Sequence, residues 1–208
     1  DMGKNYKKSD KRSSLEALLR RVVTPGQKMF AVNDVVDLYN ACSVLTMIPM
    51  GAYDLDAVKS NIYLRYGNDG EQFEGLGKDN ICPVERKQVV YADDSQVLTW
   101  LWNYRDATHT AIQLSTTHAI FFMDTAHPMS HIAMCDSLQI FEEAIERLGA
   151  RVTSNGILSV ECPEVELDFE NPVRRTKGQS GLLEKILSGQ VSIASFVEEP
   201  TGKKNTKV

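Results

Sequence analysis

The order of strand-type and helix-type segments is the feature that most constrains how this chain can fold. Four segments in the middle of the chain are rich in β-branched and aromatic residues, which favours strands. They are residues 62–66, 89–91, 97–104 and 110–123. Helix-type patterns lie on both sides, over residues 13–23 and 130–149. The sequence therefore predicts one mixed helix-and-strand domain over residues 13–171.

Local capping signals indicate where the helices begin and end. Ser13 and Glu16 form a capping box, which opens the first helix. Asn33 can cap a second helix, and Ser130 can start a third that Gly149 ends. We therefore expect three helices with well-defined ends.

The segments between these elements predict turns, loops and tails. Residues 70–86 are rich in Gly and Asp and predict a loop, and residues 153–156 between two short strands predict a hairpin. Arg105 and Asp106 are expected in the turn between the last two strand segments. Residues 1–12 are expected to be a mobile basic segment. Residues 172–208 are expected to be a basic tail with one short helix near Leu182–Leu187.

The composition is that of an ordinary globular protein. Of the 208 residues, 42% are hydrophobic and 25% are charged. No run approaches the roughly 18 apolar residues of a membrane span, and the polar start does not resemble a signal peptide. Four scattered cysteines without a C-x-x-C pair favour free thiols in a reducing compartment. We therefore expect a cytoplasmic location.

Charge is distributed unevenly along the chain. Residues 1–28 carry a net charge of +5 and residues 172–208 a net charge of +4, whereas residues 29–171 carry −14. An acidic body binds nucleic acid poorly, so phosphate contacts would have to come from the basic ends. The alternative is that both ends are solvated tails.

Common catalytic and cofactor motifs are absent from the sequence. It contains no GxSxG, HExxH, GxxxxGK or GxGxxG motif. His127 and His131 are four residues apart, but Pro128 between them disfavours a helical pair of metal ligands. The sequence therefore predicts neither a metal nor a cofactor.

Polar residues interrupt an apolar stretch between Asn33 and Asp54. Two amides and two carboxylates occur over residues 33–40, and a Pro-x-Gly turn then precedes Tyr53. Buried polar groups must be paired or functional, so this stretch predicts one wall of a binding pocket. The alternatives are local: Asn33 as a helix cap, Asp37 on a solvated helix face, and Gly51 as a turn residue.

Residues 100–106 combine two tryptophans, a tyrosine and an Arg-Asp pair. One interpretation is a pair of core aromatics followed by an exposed turn, in which Arg105 pairs with Asp106 at the surface. The other places Arg105 at a pocket rim, where its guanidinium can bind a carboxylate or phosphate. Nearby threonines either reflect β-propensity or line a polar pocket.

An ordered set of short motifs resembles one known family. The motifs are Asn33-x-x-Val36-Asp37-x-x-Asn40, Pro49-Met50-Gly51-Ala52-Tyr53-Asp54-Leu55-Asp56, Ile62-x-Leu64-Arg65, Gly70-Glu71 and Trp102-x-x-Arg105-Asp106, followed by Thr110 and Thr117. Together they resemble the editing (B-three/B-four) domain of the phenylalanyl-tRNA synthetase beta subunit, and more closely its free-standing homologues. The resemblance covers about residues 15–165.

The resemblance implies an α+β fold whose β-sheets pack as an unusual sandwich with flanking helices. It also implies a pocket for the aminoacyl end of a mischarged tRNA, whose ester is hydrolysed in trans by a positioned water. Carried over by position, nine residues would bind the substrate, and no catalytic residue is assigned. They are Asn33, Asp37, Met50, Gly51, Ala52, Tyr53, Arg105, Thr110 and Thr117.

Two positions depart from the family pattern. Gly51 stands where the synthetase has a histidine. Met123 falls where it has a glutamate that reads the tyrosine hydroxyl, and Asp124 would need a one-residue shift to take that place. These departures favour an alternative function, a non-enzymatic module that binds tRNA or an amino-acid-like ligand. A third interpretation is a partner-docking protein that uses residues 172–200.

Overall fold

The computed structural model describes residues 11–77, 81–125, 131–167 and 177–190. The chain has an α+β fold, as predicted. It divides into two compact units: a first unit of residues 1–40 and 48–124, and a second unit of residues 41–47 and 125–208. The elements are α1 (Ser14–Val23), α2 (Asp34–Thr46), β1 (Met50–Asp54), a 3₁₀ turn (Leu55–Ala57), β2 (Tyr63–Tyr66), β3 (Gln72–Glu74), β4 (Ile81–Pro83), β5 (Val89–Ala92), β6 (Val97–Trp100), β7 (Arg105–Asp106), β8 (Ala119–Met123), α3 (His131–Arg147) and α4 (Leu182–Leu187).

The strands of the first unit form three antiparallel sheets. The largest has the strand order β2-β5-β6-β7, and the other two are the pairs β1-β8 and β3-β4. The central strands β5 and β6 are buried on both faces. Val90 and Val97 lie in one apolar cluster, whereas Tyr91 and Leu98 lie in another. Burial on both faces explains why these strands lack the alternating pattern of a half-exposed sheet.

The helix ends follow the predicted capping signals. Ser13 Oγ accepts a hydrogen bond from the backbone N–H of Glu16 (3.2 Å), and α1 begins at the next residue, Ser14. Asn33 Oδ1 accepts from the N–H of Val36 (2.9 Å), and α2 begins at Asp34. These side chains satisfy N–H groups that the first turn of a helix leaves without backbone partners.

The prediction for residues 97–106 was wrong in its details. The strand ends at Trp100, because Leu101 and Trp102 adopt left-handed conformations with φ of 55° and 63°. Left-handed residues reverse the chain tightly, so Arg105 and Asp106 form β7 rather than a turn. Asp106 therefore lies opposite Thr99 in the sheet.

Two further predictions, one of a strand and one of a loop, need correction. Of the segment 110–123, only Ala119–Met123 is a strand, because side-chain bonds such as the one from Thr116 Oγ1 to Asp54 Oδ2 (2.7 Å) hold the preceding residues in a turn. Residues 70–86 are not a simple loop, since β3 and β4 pair within them.

The second unit is built around α3 and α4. Gly149, with φ of 87°, follows the end of α3 as predicted, whereas the predicted start at Ser130 lies outside the described residues. The carboxylate of Glu143 accepts from the N–H groups of Gly181 (2.6 Å) and Leu183 (3.1 Å), which fixes the start of α4. Gly178 is required here, because a Cβ would lie 2.4 Å from the carbonyl oxygen of Cys135.

The predicted hairpin at residues 153–156 is wrong, since no strand flanks it within residues 131–167. Asn155 instead donates from Nδ2 to Glu142 Oε1 on α3 (2.7 Å). A buried polar pair thus takes the place of a turn between strands. The predicted mobile segment and tail lie mostly outside the described residues.

Candidate functional site

A cleft in the first unit lies between β1, the end of β8 and the turn that joins β6 to β7. Its cavity volume is about 50 Å³, and the cleft opens to solvent on one side. Met50, Gly51 and Tyr53 line it from β1, and the turn contributes Trp102 and Asn103. The tight turn at the left-handed residues therefore brings an aromatic and an amide to the edge of the cleft.

A chain of hydroxyl groups leads to a carboxylate in this cleft. Thr99 Oγ1 donates to Asp106 Oδ1 (2.6 Å), across the pair of facing residues in β6 and β7. The hydroxyl of Tyr53 lies 2.6 Å from Thr99 Oγ1. Because Thr99 gives its proton to the carboxylate, Tyr53 donates to Thr99. This network holds Asp106 in one orientation.

Asp106 is the most perturbed carboxyl group of the cleft. Burial raises the pKa of Asp106 to about 6, the hydrogen bond from Thr99 lowers it, and the nearby carboxylate of Asp124 raises it. A carboxyl group with this pKa is largely ionised at pH 7 but is a stronger base than an exposed aspartate. Such a group can accept a proton from water in a reaction near neutral pH.

Asp124 supplies a second carboxylate to the cleft. The hydroxyl of Tyr91 donates to Asp124 Oδ1 (2.5 Å). Burial raises the pKa of Asp124, and the hydrogen bonds from Tyr91 and Trp102 lower it. The rings of Tyr91 and Phe122 pack with centroids 4.9 Å apart, which fixes the phenol.

Two buried donors of the cleft lack partners. Ser14 Oγ and Asn103 Nδ2 are fully buried, and neither has a hydrogen-bond partner among the described residues. Their backbones are joined, since the N–H of Ser14 donates to the carbonyl oxygen of Asn103 (3.0 Å). A buried donor without an acceptor is costly, and because neither atom is exposed to solvent, neither faces the open part of the cleft.

Arg105 lines the cleft, but its guanidinium also has a structural partner. Its Nη1 donates to the carbonyl oxygen of Leu76 (2.9 Å), and the guanidinium lies over the ring of Tyr104, 5.5 Å from the centroid. Arg105 thus connects β7 to the segment that follows β3. The surface pairing of Arg105 with Asp106 is not found among the described residues.

The structure brings together some of the nine residues carried over from the resemblance. Met50, Gly51, Tyr53 and Arg105 line the cleft. The other five do not line it. They are the helix cap Asn33, Asp37, which accepts from the N–H of Val32 (2.9 Å), the buried Ala52, the buried Thr110 and the exposed Thr117 beside His118.

Sequence reasoning missed Thr99, Asn103 and Asp106 as parts of the site. Asp106 had a signal, because it belongs to the Trp102–Asp106 motif, but it was interpreted only as a partner for Arg105. Thr99 had none, since its role comes from its position opposite Asp106.

The end of β8 settles which of two neighbouring residues enters the cleft. Met123 pairs with Met50, and the N–H of Asp124 donates to the carbonyl oxygen of Pro49 (3.0 Å). Asp124 lines the cleft and Met123 does not. A carboxylate therefore occupies the cleft one residue beyond the position expected from the alignment of motifs.

Comparison with known families identifies the domain type. A family model described as the B3/4 domain matches residues 2–160, which is more than half of the chain. The chain belongs to the B3/4 domain family. This B3/4 domain was recognised correctly from the order of its motifs. A search of curated proteins finds no significant match.

Among solved structures, this B3/4 domain is similar to an N-terminal fragment of the phenylalanyl-tRNA synthetase beta subunit from Pyrococcus horikoshii. The sequence identity is 13% and the TM-score is 0.36. The match covers 44% of this chain and 34% of that chain. The chain thus spans about a third of the length of the fragment that it matches.

The described residues offer neither a membrane-spanning helix nor a metal site. No helix among them is long and apolar enough to cross a membrane. In the same part of the chain, no group of three or more His, Cys, Asp or Glu side chains is arranged to hold a metal ion.

Proposed function

We propose that this B3/4 domain hydrolyses the ester bond of mischarged aminoacyl-tRNA, with the aminoacyl group bound in the cleft. Membership of the B3/4 family and the resemblance to the editing domain of the phenylalanyl-tRNA synthetase beta subunit support this substrate class. Among the described residues that line the cleft, no serine or cysteine is hydrogen-bonded to a base, so the proposed attacking group is water.

The observation that carries the proposal is the oriented, desolvated carboxylate of Asp106. Asp106 accepts a proton from a water molecule, and the water oxygen attacks the ester carbonyl carbon. The bond from carbon to the ribose oxygen then breaks, and the leaving oxygen takes the proton. The products are a free amino acid and tRNA.

The test is a deacylation assay with a panel of cognate and mischarged aminoacyl-tRNAs. We expect Asp106→Asn to lower the rate for a sensitive substrate by about 10²–10⁴-fold, the usual contribution of a general base. The matched control is Asp94→Asn, which neutralises an exposed aspartate outside the cleft. If the wild-type protein leaves the entire panel intact while a synthetase editing control is active, the proposal is wrong.

The second candidate function is binding without hydrolysis, of tRNA or of an amino-acid-like ligand. Gly51 favours it, because the resemblance places a histidine of the synthetase at this position, whereas this chain has no side chain there. A Cβ on Gly51 would lie 3.9 Å from Asp106 Oδ1, in ordinary van der Waals contact with the carboxylate. Thermal-shift measurements with amino acids and aminoacyl-adenylate analogues distinguish the two functions, since stabilisation without turnover supports binding alone.

A further inference from the structure

We propose that two copies of this chain associate through β2, the edge strand of the largest sheet, by antiparallel pairing about a two-fold axis at Leu64. The surface lies outside the cleft, so the association is independent of the proposed function. β2 stands at one end of the strand order β2-β5-β6-β7, and β5 is its only strand partner among the described residues. Pairing of two copies at this edge joins the four-stranded sheet of one copy to that of the other.

The first support is a row of backbone groups that point away from the sheet. The N–H of Gly67 donates to the carbonyl oxygen of Gln88 (2.8 Å), and the strands β2 and β5 keep this register along their length. Backbone bonds of an antiparallel pair involve every second residue, so Leu64 and Tyr66 direct their N–H and carbonyl groups outward. The carbonyl oxygen of Tyr66 accepts from Arg65 Nη1 (3.0 Å) and keeps a second lone pair. This edge can therefore bond to another strand.

The second support is the apolar character of the exposed edge. Three of the four residues of β2 are large and apolar or aromatic, and Tyr63, Leu64 and Tyr66 are 42%, 53% and 67% exposed. Single exposed apolar side chains are common on protein surfaces, whereas a contiguous group of them is typical of an interaction site. Association through β2 removes this apolar surface from water, which is favourable.

The third support is charge, which favours a second copy as the partner. Arg65 is the only charged residue between Ser60 and Asn68, and its Nη1 donates to Glu71 Oε2 of the same copy (3.0 Å). Residues 29–171 together carry a net charge of −14, so most surfaces of the body repel the same surface on another copy. At β2 the single positive charge is neutralised within each copy. The edge strand is therefore a place where two identical surfaces can meet without repulsion.

Pairing about Leu64 also gives each side chain of β2 a suitable neighbour. The axis places Leu64 opposite Leu64 of the second copy, and this pair exchanges two backbone hydrogen bonds because both residues direct their polar groups outward. Tyr63 then lies opposite Arg65 of the second copy, on the other face of the sheet. A guanidinium beside a tyrosine ring is attractive, so the pairing brings no like charges together. The edge strand is thus complementary to itself.

Analytical ultracentrifugation of the full chain tests whether the copies associate. A pair of four-residue strands is a small interface, so we expect a dissociation constant of about 1–100 µM. The weight-average mass should therefore rise from that of one chain toward that of two between about 1 and 500 µM protein. A chain that stays monomeric over this range would overturn the inference.

Substitutions at position 64 test the two-fold axis. Leu64→Lys and Leu64→Glu each place like charges opposite each other and remove the contact between the two leucines, so each should weaken association about 100-fold. An equimolar mixture of the two variants should associate about tenfold more tightly than either variant alone, because opposite charges then face each other across the axis. Leu114→Lys and Leu114→Glu, at an exposed position outside β2, are the matched controls and should associate as the wild type does. Wild-type association of Leu64→Lys, or a mixture no tighter than its components, would show that the proposed pairing is wrong.

Hydrogen exchange measured by NMR adds a test that needs no substitution. The outward N–H groups of Leu64 and Tyr66 should exchange about threefold or more slowly at about 500 µM than at about 5 µM protein, because only the associated form protects them. The N–H of Arg65 faces β5 and should change less. Protection of Leu64 and Tyr66 that does not depend on concentration would show that another part of the same chain covers the edge, and the inference would then be wrong. Near-UV circular dichroism checks that each variant is folded.

Discussion

Asp106 carries a cost in stability that its place in the cleft explains. Burial raises its pKa to about 6 from an ordinary value of 3.8, so the folded protein binds this proton more tightly than the unfolded chain does. Its protonated form stabilises the fold fully below pH 3.8, and this stabilisation is lost as the pH rises to about 6. A residue retained at such a cost is a candidate for function.

We therefore expect Asp106→Asn to stabilise the protein above pH 6, by about 1–3 kcal/mol, and to have little effect near pH 4. Urea unfolding of both proteins between pH 4 and pH 8 measures the difference. The difference in the free energy of unfolding between variant and wild type should grow between about pH 4 and pH 6 and stay constant above that range. A variant that is less stable than the wild type at pH 8 would contradict this account.

Asp93 provides a comparison with Asp106, because several hydrogen bonds stabilise the ionised carboxylate of Asp93. Burial raises the pKa of Asp93, but hydrogen bonds from the backbone of Lys59, from Ser95 and from the backbone of Gln96 outweigh it and lower the pKa. The ionised form therefore stabilises the fold above the ordinary pKa, and this is lost as the pH falls. Asp93→Asn should destabilise the protein at pH 7, which is the opposite sign to Asp106→Asn.

At the scale of elements, the sequence predicts what is decided locally. The starts of α1 and α2 follow from Ser13 and Asn33, whose side chains bond to N–H groups three residues further on. The hairpin of β6 and β7 was not predicted, because its left-handed residues are Leu101 and Trp102 rather than glycine or asparagine. The residue types therefore give no sign of this turn, because strand pairing and not residue preference sets its left-handed conformation.

The candidate site was only partly predictable for the same reason. Gly51 and Tyr53 were found because they belong to one contiguous motif on β1. Thr99 and Asp106 face each other only because β6 and β7 pair in one register. Asp124 enters the cleft because β8 ends one residue before it. Contacts of this kind depend on strand register, which the pattern of residue types does not specify.

The carboxylate of Glu143 joins the start of α4 to α3. Glu143 accepts from the N–H groups of Gly181 and Leu183, which have no partners within the first turn of a helix. Glu143→Gln removes the charge and one acceptor, so we expect the local stability of α4 to fall by about 1–2 kcal/mol. Hydrogen exchange of residues 181–187 should accelerate about 5- to 30-fold.

The control for this prediction is Glu184→Gln. It removes the exposed ion pair between Arg147 Nη2 and Glu184 Oε2 (2.6 Å), which joins the same two helices. Exposed pairs contribute little, so this variant should change the exchange of α4 less than Glu143→Gln does. Equal acceleration in both variants would show that α4 is held by charge at its surface and not by the bonds at its start.

At the scale of the whole molecule, the charge distribution limits how a tRNA can be bound. The chain carries a net charge of −5, but residues 1–28 carry +5 and residues 29–171 carry −14. Phosphates are repelled by the acidic body, so the basic segments supply the attraction. Within the described residues, α1 and its flanks present several of these cations, and Ser14 at the start of α1 also lines the cleft. A tRNA end held along α1 would therefore lie near the candidate site.

This arrangement predicts a specific salt dependence. Replacing Arg12, Arg20 and Arg21 with glutamine should weaken tRNA binding and reduce the slope of log K against log salt by up to about 2, because each lost phosphate contact removes about 0.7 of a released counterion. The slope is measured by filter binding or fluorescence anisotropy between about 50 and 200 mM salt, where phosphate contacts make binding depend strongly on salt. Near-UV circular dichroism checks that the variant is folded.

The matched control changes the same charge on the acidic body. Lys59, Arg86 and Lys87 are exposed, and their replacement by glutamine also removes three positive charges. If net charge alone governs binding, both triple variants should weaken it equally. If α1 contacts the phosphates directly, only the first variant should lower the slope, because only there are counterions released on binding. Equal slopes for both variants would show that α1 does not contact the phosphates directly. The basic residues beyond Asn171 would then have to supply the attraction.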